Sequence, residues 1–319
     1  MSEPNVVVVG SVNMDLSVRV PHLPRAGETV SGGDLEHGAG GKGANQAVAA
    51  RLLGASTTMV ARVGSDEFGS QARRALDAAG VDTSAVATVA TATGTALIVI
   101  GPDGDNIITV SPGANGQLGP DCLDGLAERL ARADALLLQL EVPVATCTAA
   151  ARLARAAGVQ VVLNAAPLPH VIGDDLRGLI AEADVLIVNE VEAAGLLDAA
   201  PSGPAGPDPH AYPAALRSLG PSDVVVTLGA RGAVYAGSDG HSEHVPAFPV
   251  DAIDAVGAGD TFCAALTVAR ATGVPDLGEA VRRACAAGAL AAASRGGLAS
   301  FPNRTEVDEF LKQRSDHAS

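Results

Sequence analysis

The sequence contains no tryptophan, and aromatic residues make up only 2% of it. Stacking platforms for bases or sugars are therefore scarce, and hydrogen bonds are expected to carry ligand recognition. Basic residues are also in short supply: 21 Lys and Arg face 36 Asp and Glu, for a formal net charge of -15 at pH 7. A field of that sign repels nucleic acid and anionic membrane surfaces, so neither is an expected partner. An anionic ligand must instead be met by local amides, a few basic side chains and a divalent metal. The four cysteines, Cys122, Cys147, Cys263 and Cys285, show no CxxC or zinc-like spacing and sit in apolar or Ala-rich surroundings that suit buried thiols. That fits a reducing compartment. No apolar run approaches membrane-spanning length, and no basic segment or cleavage signal precedes the first apolar stretch at Asn5 to Gly10, so the expected localisation is cytoplasmic. GxSxG and HExxH are missing, which leaves hydrolase readings without an anchor, and there are no internal repeats.

What is present is a chain of 319 residues, 47% hydrophobic, enough to fill a sizeable core. Short apolar runs at Val6 to Val9, Thr58 to Val63, Ala135 to Leu140, Val159 to Leu163, Val185 to Val188 and Val224 to Leu228 read as strands. Between them, Ala44 to Leu53, Gln71 to Ala79, Leu123 to Arg132, Val144 to Ala157 and Asp174 to Ala183 carry helical periodicity. Strands apolar on both faces and alternating with helices predict an α/β fold, a mostly parallel sheet with helices on both faces. Asp15 to Pro21 with Glu28 to Glu36, and Thr95 to Ile100 with Asn106 to Val110, read as two hairpins, the second turning through Pro102-Asp103-Gly104. Lacking helices between them, they are expected outside the main sheet as a small β-sheet lid. Asp198 to Tyr212, rich in Pro, Gly and Ala, is expected to be a mobile surface loop, and residues after about Gln313 are expected to fray.

The stretch Asp254-Ala255-Val256-Gly257-Ala258-Gly259-Asp260-Thr261-Phe262 is a glycine-rich turn leading into a predicted helix over Thr261 to Ala271. Such a turn offers inward amides and the positive end of a helix dipole to an anion. Asp260 beside it suits a general base taking a proton from an attacking hydroxyl, or merely a helix cap. Gly38 to Gly43 matches GxGxxG, with Asp66 about 20 residues on, as a dinucleotide site would have. Yet it does not close the first strand, and Lys42 followed by Gly43 is not a P-loop. A polar loop holding Lys42 and Asn45 suits a hydroxylated ligand. Asn13 and Asp15 alternate along an extended segment and face one side, where an amide and a carboxylate satisfy vicinal hydroxyls, or else form an Asx turn. Glu141 follows a strand end and joins that crevice. Asn189, Glu190 and Glu192 follow another, as a metal-water shell or a helix start. His241-Ser242-Glu243-His244 reads as exposed polar strand rather than a metal site.

Taken together these motifs resemble the PfkB family of carbohydrate kinases across essentially the whole chain. The signatures are Gly10-Ser11-Val12-Asn13-Met14-Asp15, Gly40-Gly41-Lys42-Gly43-Ala44-Asn45-Gln46-Ala47, Ser111-Pro112-Gly113-Ala114-Asn115, Gln139-Leu140-Glu141, Asn189-Glu190-Val191-Glu192-Ala193 and Gly257-Ala258-Gly259-Asp260-Thr261-Phe262. The resemblance implies a single doubly wound α/β domain over residues 1–319, with the lid at about residues 13–37 and 94–111. It implies ATP-dependent phosphorylation of D-ribose at the 5-hydroxyl; deoxyribose, a nucleoside or a ketose are alternatives, and a non-catalytic sugar-binding sensor is an alternative of another class. Asp260 would be the catalytic base. Asn13, Met14, Asp15, Gly41, Lys42, Gly43, Ala44, Asn45 and Glu141 would hold the sugar. Asn189, Thr227, Leu228, Gly229, Ala230, Arg231, Gly232, Gly257, Ala258, Gly259 and Cys285 would bind the nucleotide, with Glu192 ordering the waters of magnesium that accompanies ATP. An activating potassium would lie at Asp254, the carbonyls of Val256, Ala291, Ser294 and Gly296, and Ser300. Val256 stands where the family would have threonine, Cys285 where Asn or His often flanks adenine, and Ala165 interrupts a usual Asn-Pro-Ala-Pro. The family pairs through its lids, which implies a homodimer.

Overall fold

The computed structural model describes residues 3–103, 105–198, 208–294 and 297–316. In chain order the regular elements are β1 (Asn5–Val9), β2 (Asn13–Arg19), β3 (Leu35–Gly40), α1 (Lys42–Leu52), β4 (Ser56–Gly64), α2 (Glu67–Ala78), β5 (Asp82–Val89), β6 (Gly94–Ile100), β7 (Asn106–Ser111), α3 (Leu126–Leu130), β8 (Ala135–Gln139) and α4 (Val144–Ala156). There follow β9 (Gln160–Asn164), α5 (Asp174–Glu182), β10 (Val185–Asn189), α6 (Glu190–Leu196), α7 (Tyr212–Leu216), β11 (Asp223–Thr227), β12 (Ala233–Ala236), β13 (Ser242–Val245), α8 (Ala258–Ala271), α9 (Leu277–Ala292) and α10 (Arg304–Asp316).

Nine strands form the main sheet in the order β13-β12-β11-β10-β9-β8-β1-β4-β5, parallel except where β12 and β13 turn back. The expected doubly wound architecture is observed. Alternation along each strand divides the core between the two faces. Val6 and Val8 join the layer of α1, α8 and α9, while Val7 and Val9 join the layer that contains α4 and α5. Strand order reverses between β1 and β8, so the segments leaving their carboxyl ends diverge and open a crevice there.

A second, four-stranded sheet runs β3-β2-β6-β7, with β2 and β6 parallel and the outer pairs antiparallel. The hairpin of β6 and β7 matches the sequence reading. The first one does not: residues 28–34 are outside any strand, and β2 pairs instead with Leu35–Gly40. Pairing rather than pattern makes β3 a strand, since four of its six residues are exposed and it has no apolar face.

Other boundaries shift for local reasons. The helix expected over Leu123 to Arg132 is only Leu126–Leu130, because Gly125 adopts φ 71 and a 3-10 turn occupies Pro120–Cys122. Asp66, the acid a dinucleotide ribose would need, caps α2 by accepting from Gly69 N at 2.9 Å and also accepts from Thr93 N at 2.9 Å. Cys122 is half-buried rather than buried. Of the expected loop over Asp198 to Tyr212, residues 199–207 lie outside the described residues, as does Gly104 of the hairpin turn. The C-terminal helix continues past Gln313 to Asp316.

Candidate active site

The site grows from close backbone approaches that only glycine permits. Gly41 adopts φ 89 before α1. A Cβ on Gly43 would sit 2.5 Å from Ser11 N, so the first turn of α1 lies directly against the end of β1. Ser11 bridges the two: its Oγ accepts from Gly43 N at 3.2 Å and donates to Glu141 Oε2 at 2.6 Å. Lys42 N donates to the same Glu141 oxygen at 3.0 Å, which fixes Glu141, just past β8, at the start of α1.

On β2, Asn13 and Asp15 share a face and Met14 is buried on the other. Asn115 orients the first: its Nδ2 donates to Asn13 Oδ1 at 2.7 Å, while its own Oδ1 accepts from Val12 N at 2.9 Å. Asp15 packs on Gly40, where a Cβ would meet its Oδ2 at 2.1 Å. Burial pushes the Asp15 carboxyl up to about 6, and the charges of Glu141 and Asp260 add to the shift. Burial alone would lower the Lys42 ammonium, but Asp260, Glu141, Cys263 and Glu192 outweigh it and hold it above its usual range.

Asp260 is buried in the first turn of α8, three residues after Gly257, which adopts φ 77 as the N-cap. The helix starts three residues before the predicted position. A capping role for Asp260 is therefore ruled out by geometry: its Oδ2 accepts from Asn45 Nδ2 at 2.8 Å and its Oδ1 from Gln46 Nε2 at 3.0 Å. Among the described residues, Lys42 Nζ, Asn13 Nδ2 and both Asp15 oxygens have no hydrogen-bond partner. The crevice thus presents free donors and acceptors beside a carboxylate held by two amides.

Across the α8 N-terminus lies a largely apolar cavity of about 500 Å³. Thr227, Gly229, Ala230, Gly232, Ala258, Gly259 and Cys285 of the expected nucleotide set line it, with Phe248, Val250 and Phe262. Burial pushes the Cys285 thiol up to about 12, so it stays protonated. Leu228 is buried, Arg231 turns away to pair with Glu190, and Gly257 does not reach the cavity. Asn189 and Glu192 form a capping box on α6: Asn189 Oδ1 accepts from Glu192 N and Glu192 Oε2 from Asn189 N, both at 2.8 Å. Glu192 Oε1 is engaged by no described residue, and burial raises that carboxyl. A larger cavity of about 660 Å³ runs along the edge strand β13, from Asp223, Tyr235 and Arg270 to Val245 and Pro246, and is lined by none of the residues expected to bind sugar or nucleotide.

Of the expected potassium ligands, Asp254 Oδ1 accepts from Val256 N at 3.0 Å, and Asp254 N donates to Ala292 O at 3.1 Å. The Ala291 carbonyl accepts from Ser294 N at 3.1 Å, and Ser300 Oγ donates to Gly297 O at 2.7 Å. Gly296 lies outside the described residues. Asp254 thus ties the turn before α8 to the end of α9, and among the described residues its Oδ2 has no hydrogen-bond partner.

Four polar residues with no role assigned from sequence bear on the site: Ser11, Gln46, Asn115 and Gln139. Each stands in a quoted signature, and Gln46 is a buried amide in an Ala-rich helix, the one local signal that could have marked it.

Residues 3–304 match the family model described as pfkB family carbohydrate kinase. The chain belongs to that family. Within it, the chain is 38% identical over 309 residues to a ribokinase of Bacillus subtilis, covering 96% of this chain and 99% of that protein. It is 33% identical over 313 residues to a deoxyribokinase of Salmonella typhi, covering 96% and 98%. The crystallised ribokinase of Arabidopsis thaliana complexed with ribose and ATP superposes with a TM-score of 0.87 at 33% identity, covering 98% of this chain and 99% of that one. The pfkB signatures cited above therefore sit on a shared fold.

Proposed function

We propose that this carbohydrate kinase transfers the γ-phosphoryl group of ATP to the 5-hydroxyl of D-ribose, with Asp260 as the base. The observation that carries this reading is the set of unpaired groups, Asn13 Nδ2, the Asp15 carboxylate and Lys42 Nζ, gathered beside a buried carboxylate at a helix N-terminus. Vicinal hydroxyls both donate and accept, and this set answers them. The related ribokinases and the neighbour that holds ribose and ATP support the choice of sugar. Asp260 takes the proton of the 5-hydroxyl as its oxygen bonds to the γ-phosphorus; the bond from that phosphorus to the β–γ bridging oxygen breaks, and ADP leaves with the electron pair. Backbone amides of Gly257 to Asp260 would stabilise the charge on the transferring group. Thr261, next in the same turn, carries a buried Oγ1 with no partner.

Magnesium bound with ATP would neutralise phosphate charge, and the free Glu192 Oε1 fits a role in ordering its waters. Potassium would lie behind the anion site, held by the unengaged Asp254 oxygen, the carbonyls of Val256, Ala291, Ser294 and Gly296, and Ser300; such a cage favours a large, weakly hydrated ion. In this reading residues 1–319 are a single domain. Its small sheet, over about residues 13–37 and 94–111, is a lid, and two copies pair through it.

ADP release with a panel of ribose, deoxyribose, other pentoses, ketoses and nucleosides, in potassium or lithium chloride at constant ionic strength, tests the assignment. Ribose should give the highest kcat/KM, and potassium should accelerate it. Preference for deoxyribose would move the chain to the reading its Salmonella typhi relative supports. Sugar binding with no ADP release from any substrate would make it a sensor, and equal rates in both salts would remove the potassium site.

A further inference from the structure

Beneath Asp260 lies a chain of buried amides with only one self-consistent orientation. Asn164 Nδ2 donates to the Ile187 carbonyl at 3.3 Å, and a carbonyl can only accept. Asn164 must therefore present Oδ1 to Gln46, whose Nε2 donates to it at 3.1 Å. The second hydrogen of that Nε2 reaches Asp260 Oδ1 at 3.0 Å. Gln46 Oε1 is thereby turned to Gln139, whose Nε2 donates to it at 2.7 Å. Gln139 Oε1 is left over, buried and without a partner, against Gly10, where a Cβ would meet it at 1.9 Å. Gln46 and Gln139 are both fully buried.

With Asn45 Nδ2 on the other oxygen, both carboxylate oxygens of Asp260 receive hydrogens from amides that cannot turn round without opposing oxygen to oxygen. These two donors hold the plane of the Asp260 carboxylate. Leaving Gln139 Oε1 unpaired costs stability, which a purely structural core would avoid by using an apolar side chain.

We propose that Gln46, braced by Gln139, is a positioning residue for the transfer reaction: its Nε2 holds Asp260 Oδ1 and with it the plane of the carboxylate, so that the base is already aimed when the hydroxyl arrives. The inference rests on Asp260 being the base. Other charged and titratable groups also face Asp260: Lys42 from α1, Asp15 from β2, and Cys263 one turn along α8.

The test compares Gln46→Met and Gln139→Met with the parent, by kcat and KM and by carbon-13 NMR of the Asp260 carboxyl at a single pH. Losing a donor to a charged group should lower kcat by roughly ten- to hundredfold in Gln46→Met and move the Asp260 signal. Gln139→Met should do the same by less, because it removes only the brace. KM for ATP should stay near the parent value in both. An unchanged kcat, or a lower kcat with an unmoved Asp260 signal, in Gln46→Met would overturn the proposal and leave Gln46 a packing residue. If that variant does not fold, an unmoved Asp260 signal in folded Gln139→Met overturns it equally. Because NMR reads the carboxyl without turnover, failure of the parent to phosphorylate ribose would count against the proposed function and not against this network.

Discussion

Asp15 is a crevice carboxyl whose ionisation the fold resists. Its carboxyl is raised from 3.8 to about 6, first by burial and then by Glu141 and Asp260. The folded state binds that proton more tightly than the unfolded chain. The stability it contributes is therefore fully present below about pH 3.8 and lost as pH rises through 6, a difference of about 3 kcal/mol. Ribose hydroxyls donating to the carboxylate would reverse the penalty. Ribose affinity should accordingly fall as pH is lowered from 7 to 5, with proton release on binding visible by calorimetry in buffers of different ionisation enthalpy. Asp15→Ala should remove that linkage and weaken ribose binding by about 1.5 to 3 kcal/mol. Binding indifferent to both pH and the substitution would take Asp15 out of the sugar site. At this scale the sequence made Asp15, Lys42, Asn45 and Asp260 conspicuous, since charged or amide side chains beside glycines have few structural uses. Gln46 and Asn115 were silent because their partners lie 214 and 102 residues away, a relation that only the fold creates.

At the scale of elements, the turn before α8 carries the most constraint. Gly257 combines φ 77 with a close approach to the Phe301 ring, which a Cβ would meet at 2.5 Å. Gly257→Ala should therefore cost about 2 kcal/mol or more in denaturant unfolding, from the left-handed backbone and the displaced ring together. A loss below a few tenths of a kcal/mol would mean that the turn yields easily and is a poor frame for an anion site. Parallel strands were the most legible elements: runs such as Val6 to Val9 are apolar on both faces because both faces are covered. β3 was misplaced because it has no apolar alternation and owes its conformation to its partner β2. The helix α8 starts earlier than its apolar pattern, since its first turn carries the site residues rather than core.

For the whole molecule, the doubly wound sheet places Glu141, Asn189 and Thr227 at or just past the carboxyl ends of β8, β10 and β11, beside the β1 and β8 reversal. The alternation of strands and helices made that arrangement legible, whereas the four-stranded sheet with its parallel β2–β6 pairing was not, because hairpin patterns do not report which strands from separate hairpins meet. That sheet leaves Leu35, Leu97 and Ile107 exposed on one face and Ile108 and Val110 on the other. Such surfaces favour the proposed pairing of lids. Sedimentation should show a dimer at micromolar concentration, and Leu97→Asp with Ile108→Asp should shift it to monomer; a monomeric parent would contradict the pairing.

The most direct test of the central claim follows the product by phosphorus-31 NMR during turnover with ATP and ribose, in the parent and in Asp260→Asn. The parent should form ribose 5-phosphate, and Asp260→Asn should still bind ribose while turning over at least about a hundredfold more slowly. Near-parental turnover in Asp260→Asn, or phosphate appearing on another hydroxyl, would contradict the assignment of Asp260 as the base acting on the 5-hydroxyl.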